Sequence, residues 1–195
     1  MHSNPYKRFW QRGNSFSTCL LTLVIVFGGV GFYYFNYFQW RHFENPTDGL
    51  TFVKETDPPQ KNAFRTKTIS SICDPIRQQI ERVVKLRKKT KKGKEKYPEL
   101  EQELTEVRNR LKEIMTEARL RRIPQEFKKK YELNLFALQD LFRAVNDLED
   151  SFDQETTSQK EKLYKSSITG TNKASKKVEE SREYFTGDGW SQDTQ

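Results

Sequence analysis

Histidine and cysteine are almost missing from this chain, with two of each in 195 residues. His2 and His42 both lie ahead of the long charged stretch that makes up most of the sequence. That stretch therefore has no imidazole to act as general acid or base, to activate a serine or cysteine, or to build a His-rich metal site. It also lacks a Gly-rich phosphate loop, a CxxC and a GxSxG. Its carboxylates are plentiful, but read most simply as solvated helix faces. Asn45-Pro46-Thr47 fails as a glycosylation acceptor because of its proline. These absences lead us to expect a non-enzymatic protein with no catalytic residues, no metal site and no cofactor.

Apolar residues are also scarce, at 34%, against 32% charged residues. Part of that apolar content is concentrated in one N-terminal block, so the remainder is poorer still. A doubly wound sheet or a thick sandwich would need more buried side chains, whereas thin helical packing needs one apolar stripe per helix. The expected fold class is all-α: an N-terminal transmembrane helix, a linker, and a small hairpin or coiled-coil-like bundle of about three helices.

No Asp or Glu occurs before Glu44, while Lys7, Arg8 and Arg12 all do. After this short basic segment (1–15), residues 16–38 contain no Asp, Glu, Lys, Arg or His. At about 1.5 Å per residue, a helix of that length spans the roughly 30 Å hydrocarbon layer. Helix is the conformation that satisfies every backbone amide of a single span in lipid. Trp10 before the run, and Phe32 to Phe38 with Trp40 at its far end, have the character of interfacial aromatic belts. A cleavable signal peptide, with Gly29 and Gly31 ahead of the cleavage point, is the rival reading. It suits the sequence less well, because the run is long for such a segment and continues past Gly31. The basic residues before the span outnumber Arg41 and Lys54 after it, which predicts a cytoplasmic N-terminus and residues 41–195 outside, periplasmic or at the cell surface. Cys19 would lie inside the span and Cys73 far outside it, so the two cannot pair. Cys73 is then either a free thiol or a link between two chains.

Residues 39–73 read as a linker, with turn formers at Asn45 to Gly49 and at Asp57-Pro58-Pro59, and a short extended piece at Leu50 to Val53. The helical domain is expected over 74–163. Asp74-Pro75 reads as its first helix start, and Ile76, Ile80, Val83 and Val84 as one apolar face, ending near Lys91-Lys92-Gly93. Pro98 opens a second helix, in which Leu100, Leu104, Val107, Leu111, Ile114 and Ala118 recur at steps of four and three, a heptad seam. An ordinary core stripe of a small bundle accounts for the same spacing. Beyond Pro124, which either kinks one long helix or starts a new one, Phe127, Tyr131, Leu135, Leu138, Phe142, Val145 and Phe152 share one side. Residues 164–195 read as a polar, largely disordered tail, with a weak polar helix at 174–185.

Charge is unevenly distributed. Residues 76–96 carry ten Lys or Arg against Glu81 and Glu95, and residues 131–162 carry eight acids against three bases. Two surfaces follow as candidates. The first is a protein-docking or self-association face made of Leu100, Leu104, Val107, Leu111, Ile114, Phe127, Tyr131, Leu138, Phe142 and Val145, in a membrane-anchored structural or assembly protein. The second is an anion-binding patch of Lys85, Arg87, Lys88, Lys89, Lys91, Lys92, Lys94 and Lys96, suited to lipid headgroups or an anionic polymer. Its bland counterpart is a solvated face partly neutralised by the acidic third helix. The patch has no interleaved aromatics for base stacking, and an outside location removes nucleic acid from its partners.

Overall fold

A computed structural model of the chain describes residues 41–54, 58–90, 99–154 and 156–187. The chain divides into two units, Met1–Arg41 and His42–Gln195, and the helices described below belong to the second. The anchor expected at 16–38, its basic and aromatic flanks and the last eight residues lie outside the described residues. Among the described residues, no helix is long and apolar enough to cross a membrane.

The fold is built on four long helices: α2 (Asp74–Thr90), α3 (Leu100–Arg119), α4 (Lys128–Asp153) and α5 (Thr157–Thr186). Ahead of α2 run a strand, β1 (Thr51–Val53), and a helix, α1 (Pro58–Thr68). Cross-helix pairs give the directions. Arg82 meets Glu106 and Lys89 meets Glu103, which sets α2 antiparallel to α3. Arg108 meets Glu149 at 2.7 Å while the Tyr131 hydroxyl donates to the Ala118 carbonyl at 2.7 Å, so α3 and α4 are antiparallel. Lys177–Asp140 and Lys130–Glu180 do the same for α4 and α5. Arg77–Glu179 and Arg182–Asp74 close the ring between α5 and α2. The result is an up-down-up-down four-helix bundle in which α2 lies diagonally across from α4. The basic helix α2 and the acidic helix α4, which would neutralise each other best side by side, are thus diagonal, and each finds counter-charges on its neighbours instead.

Three expectations are revised. Asp74-Pro75 does not start a helix: Asp74 has helical angles (φ −66°, ψ −43°), and its N–H bonds back to the Ile69 carbonyl. A wide π-type turn, Ile69–Cys73, joins α1 to α2 and makes one continuous rod from Pro58 to Thr90. Pro75 lacks the N–H that a regular helix would need there, and a widened turn just before it is a common way for a helix to run through such a residue. Pro124 neither kinks a long helix nor starts the next one. It ends a strand, β2 (Arg122–Pro124), which pairs parallel with β1 in the register Phe52↔Ile123, and a 3-10 turn (Gln125–Phe127) leads into α4. Finally, most of the tail expected from residue 164 onward is α5, the longest of the helices, which ends at Gly187 in a left-handed conformation (φ 101°) that suits a glycine cap.

The reason for α5 lies in the size of its residues. Its inward face is Ser167, Thr171, Ala174, Val178, Ser181 and Phe185, all buried, with Gly170 beside them. A Cβ at Gly170 would lie 3.0 Å from the Ala144 Cβ and 3.1 Å from the Asp140 carbonyl oxygen, so α4 and α5 approach through small side chains. Close approach replaces bulk as the source of dispersion contact. At the far end of this hairpin, Phe64 of α1, Phe127, Tyr131 and Phe185 form a ring cluster, with Phe64 and Phe127 stacked at 5.4 Å.

The segment expected as a linker is fastened to the bundle. Phe43 is buried and stacks on Phe142 of α4 at 3.9 Å. Gln139 donates to the Phe43 and Glu44 carbonyls, at 2.6 and 3.2 Å. The Arg119 guanidinium, at the end of α3, donates to the carbonyls of Asn45, Pro46 and Asp48. With β1 paired to β2, residues 43–53 form a strap along α3 and α4.

Candidate functional site

All ten apolar residues expected to form a docking face are buried in the core of this chain: Leu100, Leu104, Val107, Leu111 and Ile114 on α3, Phe127 before α4, and Tyr131, Leu138, Phe142 and Val145 on α4. The heptad spacing is thus the stripe of an intramolecular bundle, and these side chains offer no surface to a partner in this fold. Placing Asp at Leu104 and Leu111 would bury two unpaired charges and unfold the bundle rather than detach a partner.

The basic patch fares differently. Lys85 and Lys88 are exposed on α2, and Arg87 and Lys89 are half-buried beside them; Lys91, Lys92, Lys94 and Lys96 lie outside the described residues. Lys89 is held by Glu103 at 2.7 Å and Glu99 at 3.9 Å. The neutralisation expected from the acidic helix α4 comes, for this lysine, from the start of α3. Among the described residues, no carboxylate forms an ion pair with Lys85 or Lys88.

The structure adds lysines from the segment expected as a tail. The Tyr164 hydroxyl reaches the Arg87 carbonyl at 3.4 Å, which brings the first half of α5 alongside the last turns of α2. Lys162 and Lys165 are exposed there, with Lys160 before them, and Lys173 and Lys176 are exposed further along α5. Among the described residues, Lys165 alone of these lysines is ion-paired, with Glu161 at 2.8 Å, and both partners are largely solvated. One signal could have found this face: from Lys162 to Val178 there is no Asp or Glu, while there are five lysines.

Cys73 sits at the junction of the rod with α4 and α5. Its side chain is fully buried, its thiol lies 3.5 Å from Asn134 Oδ1, and Asn134 Nδ2 donates to Ser181 Oγ at 2.7 Å, which donates in turn to the Lys130 carbonyl at 3.0 Å. Burial pushes the thiol up to about 12 from its ordinary 9.0, so no thiolate forms near neutrality. Of the two alternatives for this residue, the free thiol holds, and a link between chains is blocked by burial. Burial likewise raises the Tyr131 phenol, whose hydroxyl already serves the end of α3. Among the described residues, no group of three or more His, Cys, Asp or Glu side chains is arranged to hold a metal ion.

No known protein family, curated protein or solved structure matches this chain. What the structure defines by itself is a class, a four-helix bundle with a buried polar joint, a fastened N-terminal strap and a lysine-rich face on α2 and α5.

Proposed function

We propose that this chain is a single-pass membrane protein, with a cytoplasmic N-terminus and its helical bundle outside, that acts as a non-enzymatic structural or assembly component. The anchor and its orientation rest on the uncharged run at 16–38 and the basic residues before it. The observation that carries the structural role is the strap. Phe43 is buried against Phe142, and Gln139 and Arg119 hold the carbonyls that follow it, so residues 43–53 are a fixed part of the bundle's surface. Such a module presents a fixed set of outer faces to a partner. Partner binding then falls to the exposed surfaces, since the apolar seam is used up internally.

To test this, the full chain is extracted from membranes in mild detergent and its mass in solution measured, after confirming that alkaline carbonate does not strip it from the membrane. A complex heavier than one chain plus its micelle is expected, and it should dissociate in the Phe43→Ala/Arg119→Ala variant, which keeps the bundle but frees the strap. A lone chain in both proteins would reject the assembly role.

A second reading, favoured by the exposed Lys85 and Lys88, is binding of an anionic polymer or of lipid headgroups. It predicts association that weakens steeply with salt and vanishes when Lys88, Lys89, Lys91 and Lys92 become Gln.

A further inference from the structure

We infer that the outer ridge of α5, together with the last turns of α2, is a track for a linear, base-free polyanion such as an acidic polysaccharide. This deepens the second reading above and rests on it. Lys162, Lys165, Thr169, Lys173 and Lys176 recur at steps of three and four, which places them on one helix face. From Lys162 to Lys176 that face runs for about 21 Å. It is a row, not a cluster, so its complement is an extended chain of charges rather than a single phosphate.

The surroundings of the row narrow the ligand. Among the described residues, Lys162, Lys173 and Lys176 have no ion-pairing carboxylate, and Lys85 and Lys88 on the adjoining α2 have none either. Thr169, exposed midway, donates its hydroxyl to the Lys165 carbonyl at 3.1 Å and leaves a gap in the charge of the row. Lipid is disfavoured because a membrane-surface helix pairs its lysines with an apolar wedge. The strongly exposed large apolar side chain among the described residues is Leu120, at the end of α3 and therefore at the other end of the bundle. Nucleic acid is disfavoured because the exposed positions of the row carry no ring on which a base could stack. The strap fastens to Arg119 at the end of α3 and to Gln139 and Phe142 on α4.

The test uses the full chain in neutral detergent, with heparin fragments of graded length as the probe, titrated by calorimetry at two salt concentrations. The comparison is with the variant Lys162→Gln/Lys165→Gln/Lys173→Gln/Lys176→Gln. All four side chains are exposed, and an unchanged melting curve would certify the fold. Wild type should bind long fragments much better than a disaccharide, and the row variant should lose about tenfold or more in affinity with a shallower salt dependence. Equal binding by the row variant, with loss confined to Lys88→Gln/Lys89→Gln/Lys91→Gln/Lys92→Gln, would overturn the track while leaving the second reading in place. No binding to heparin by wild type, but binding to vesicles of phosphatidylglycerol and phosphatidylcholine or to duplex DNA, would overturn the ligand class. Binding to none of these would remove the second reading as well.

Discussion

Helices α3 and α5 are each held to the bundle by one buried face, and the two faces are made of different materials. That of α3 is Leu100, Leu104, Val107, Leu111, Ile114, Met115 and Ala118; that of α5 is Ser167, Thr171, Ala174, Val178, Ser181 and Phe185. On α3 the helix is fixed by apolar area taken out of water. On α5 the residues remove little such area, and the gain comes from backbones drawn close; Thr171 donates within its own helix to the Ser167 carbonyl at 2.7 Å, and Ser181 donates across to the Lys130 carbonyl of α4 at 3.0 Å. The first face should suffer most from a loss of volume, and the second from a gain in size.

Substitutions can break this contrast. The largest effect is expected from Leu104→Ala, a cavity in a fully buried seam, at about 2–5 kcal/mol in chemical denaturation. A loss under about 1 kcal/mol would mean that the seam is loosely packed. Gly170→Val should come next, because its first added carbon meets the Ala144 Cβ at 3.0 Å and a backbone oxygen at 3.1 Å, neither of which can swing away. Overpacking of this kind costs about 1–3 kcal/mol, offset by up to about 1 kcal/mol of better helix propensity. A net stabilisation would show that the two helices are not in close contact.

A third test is alkaline titration of stability. Burial raises both the Cys73 thiol and the Tyr131 phenol above their ordinary values of 9.0 and 10.0, so the unfolded chain gives up these protons first. Stability is then intact below about pH 9 and declines as pH rises through the range up to the folded-state values. Thermal melts from pH 8 to 11 should show this fall, and Cys73→Ala should remove its earliest part; an unchanged onset would place the thiol in water. The smallest effect is expected from Ser167→Ala. Among the described residues the buried Ser167 hydroxyl has no hydrogen-bond partner, so its removal should change stability by less than about 0.5 kcal/mol or raise it slightly.

The same contrast explains what could be read from the sequence. The seam of α3 and the face of α4 were legible because Leu, Val, Ile and Phe mark a helical period by hydrophobicity. The all-α character followed from them and from the scarcity of other apolar residues. The face of α5 has a comparable period, but it is written in small side chains, and Ser, Thr and Gly also make linkers, so the period passes for linker composition. The strap was hidden for a related reason. Its hold on the bundle comes from backbone carbonyls reached by Arg119 and Gln139, more than seventy residues away in sequence, and no local pattern announces them. The lysines of the candidate site are divided in the same way: those on α2 stand out as a block, whereas those on α5 need the helix before they become a row.

The most direct test of the bundle is peptide-resolved hydrogen exchange on the full chain, comparing residues 164–185 with residues 100–118. If α5 is the fourth helix of the bundle, its amides should be protected to nearly the same degree as those of α3, and both should open together under mild denaturant. Full exchange of 164–185 within seconds, with 100–118 still protected, would show a three-helix core with a free tail. Neither the small-residue face nor the lysine row it positions would then exist.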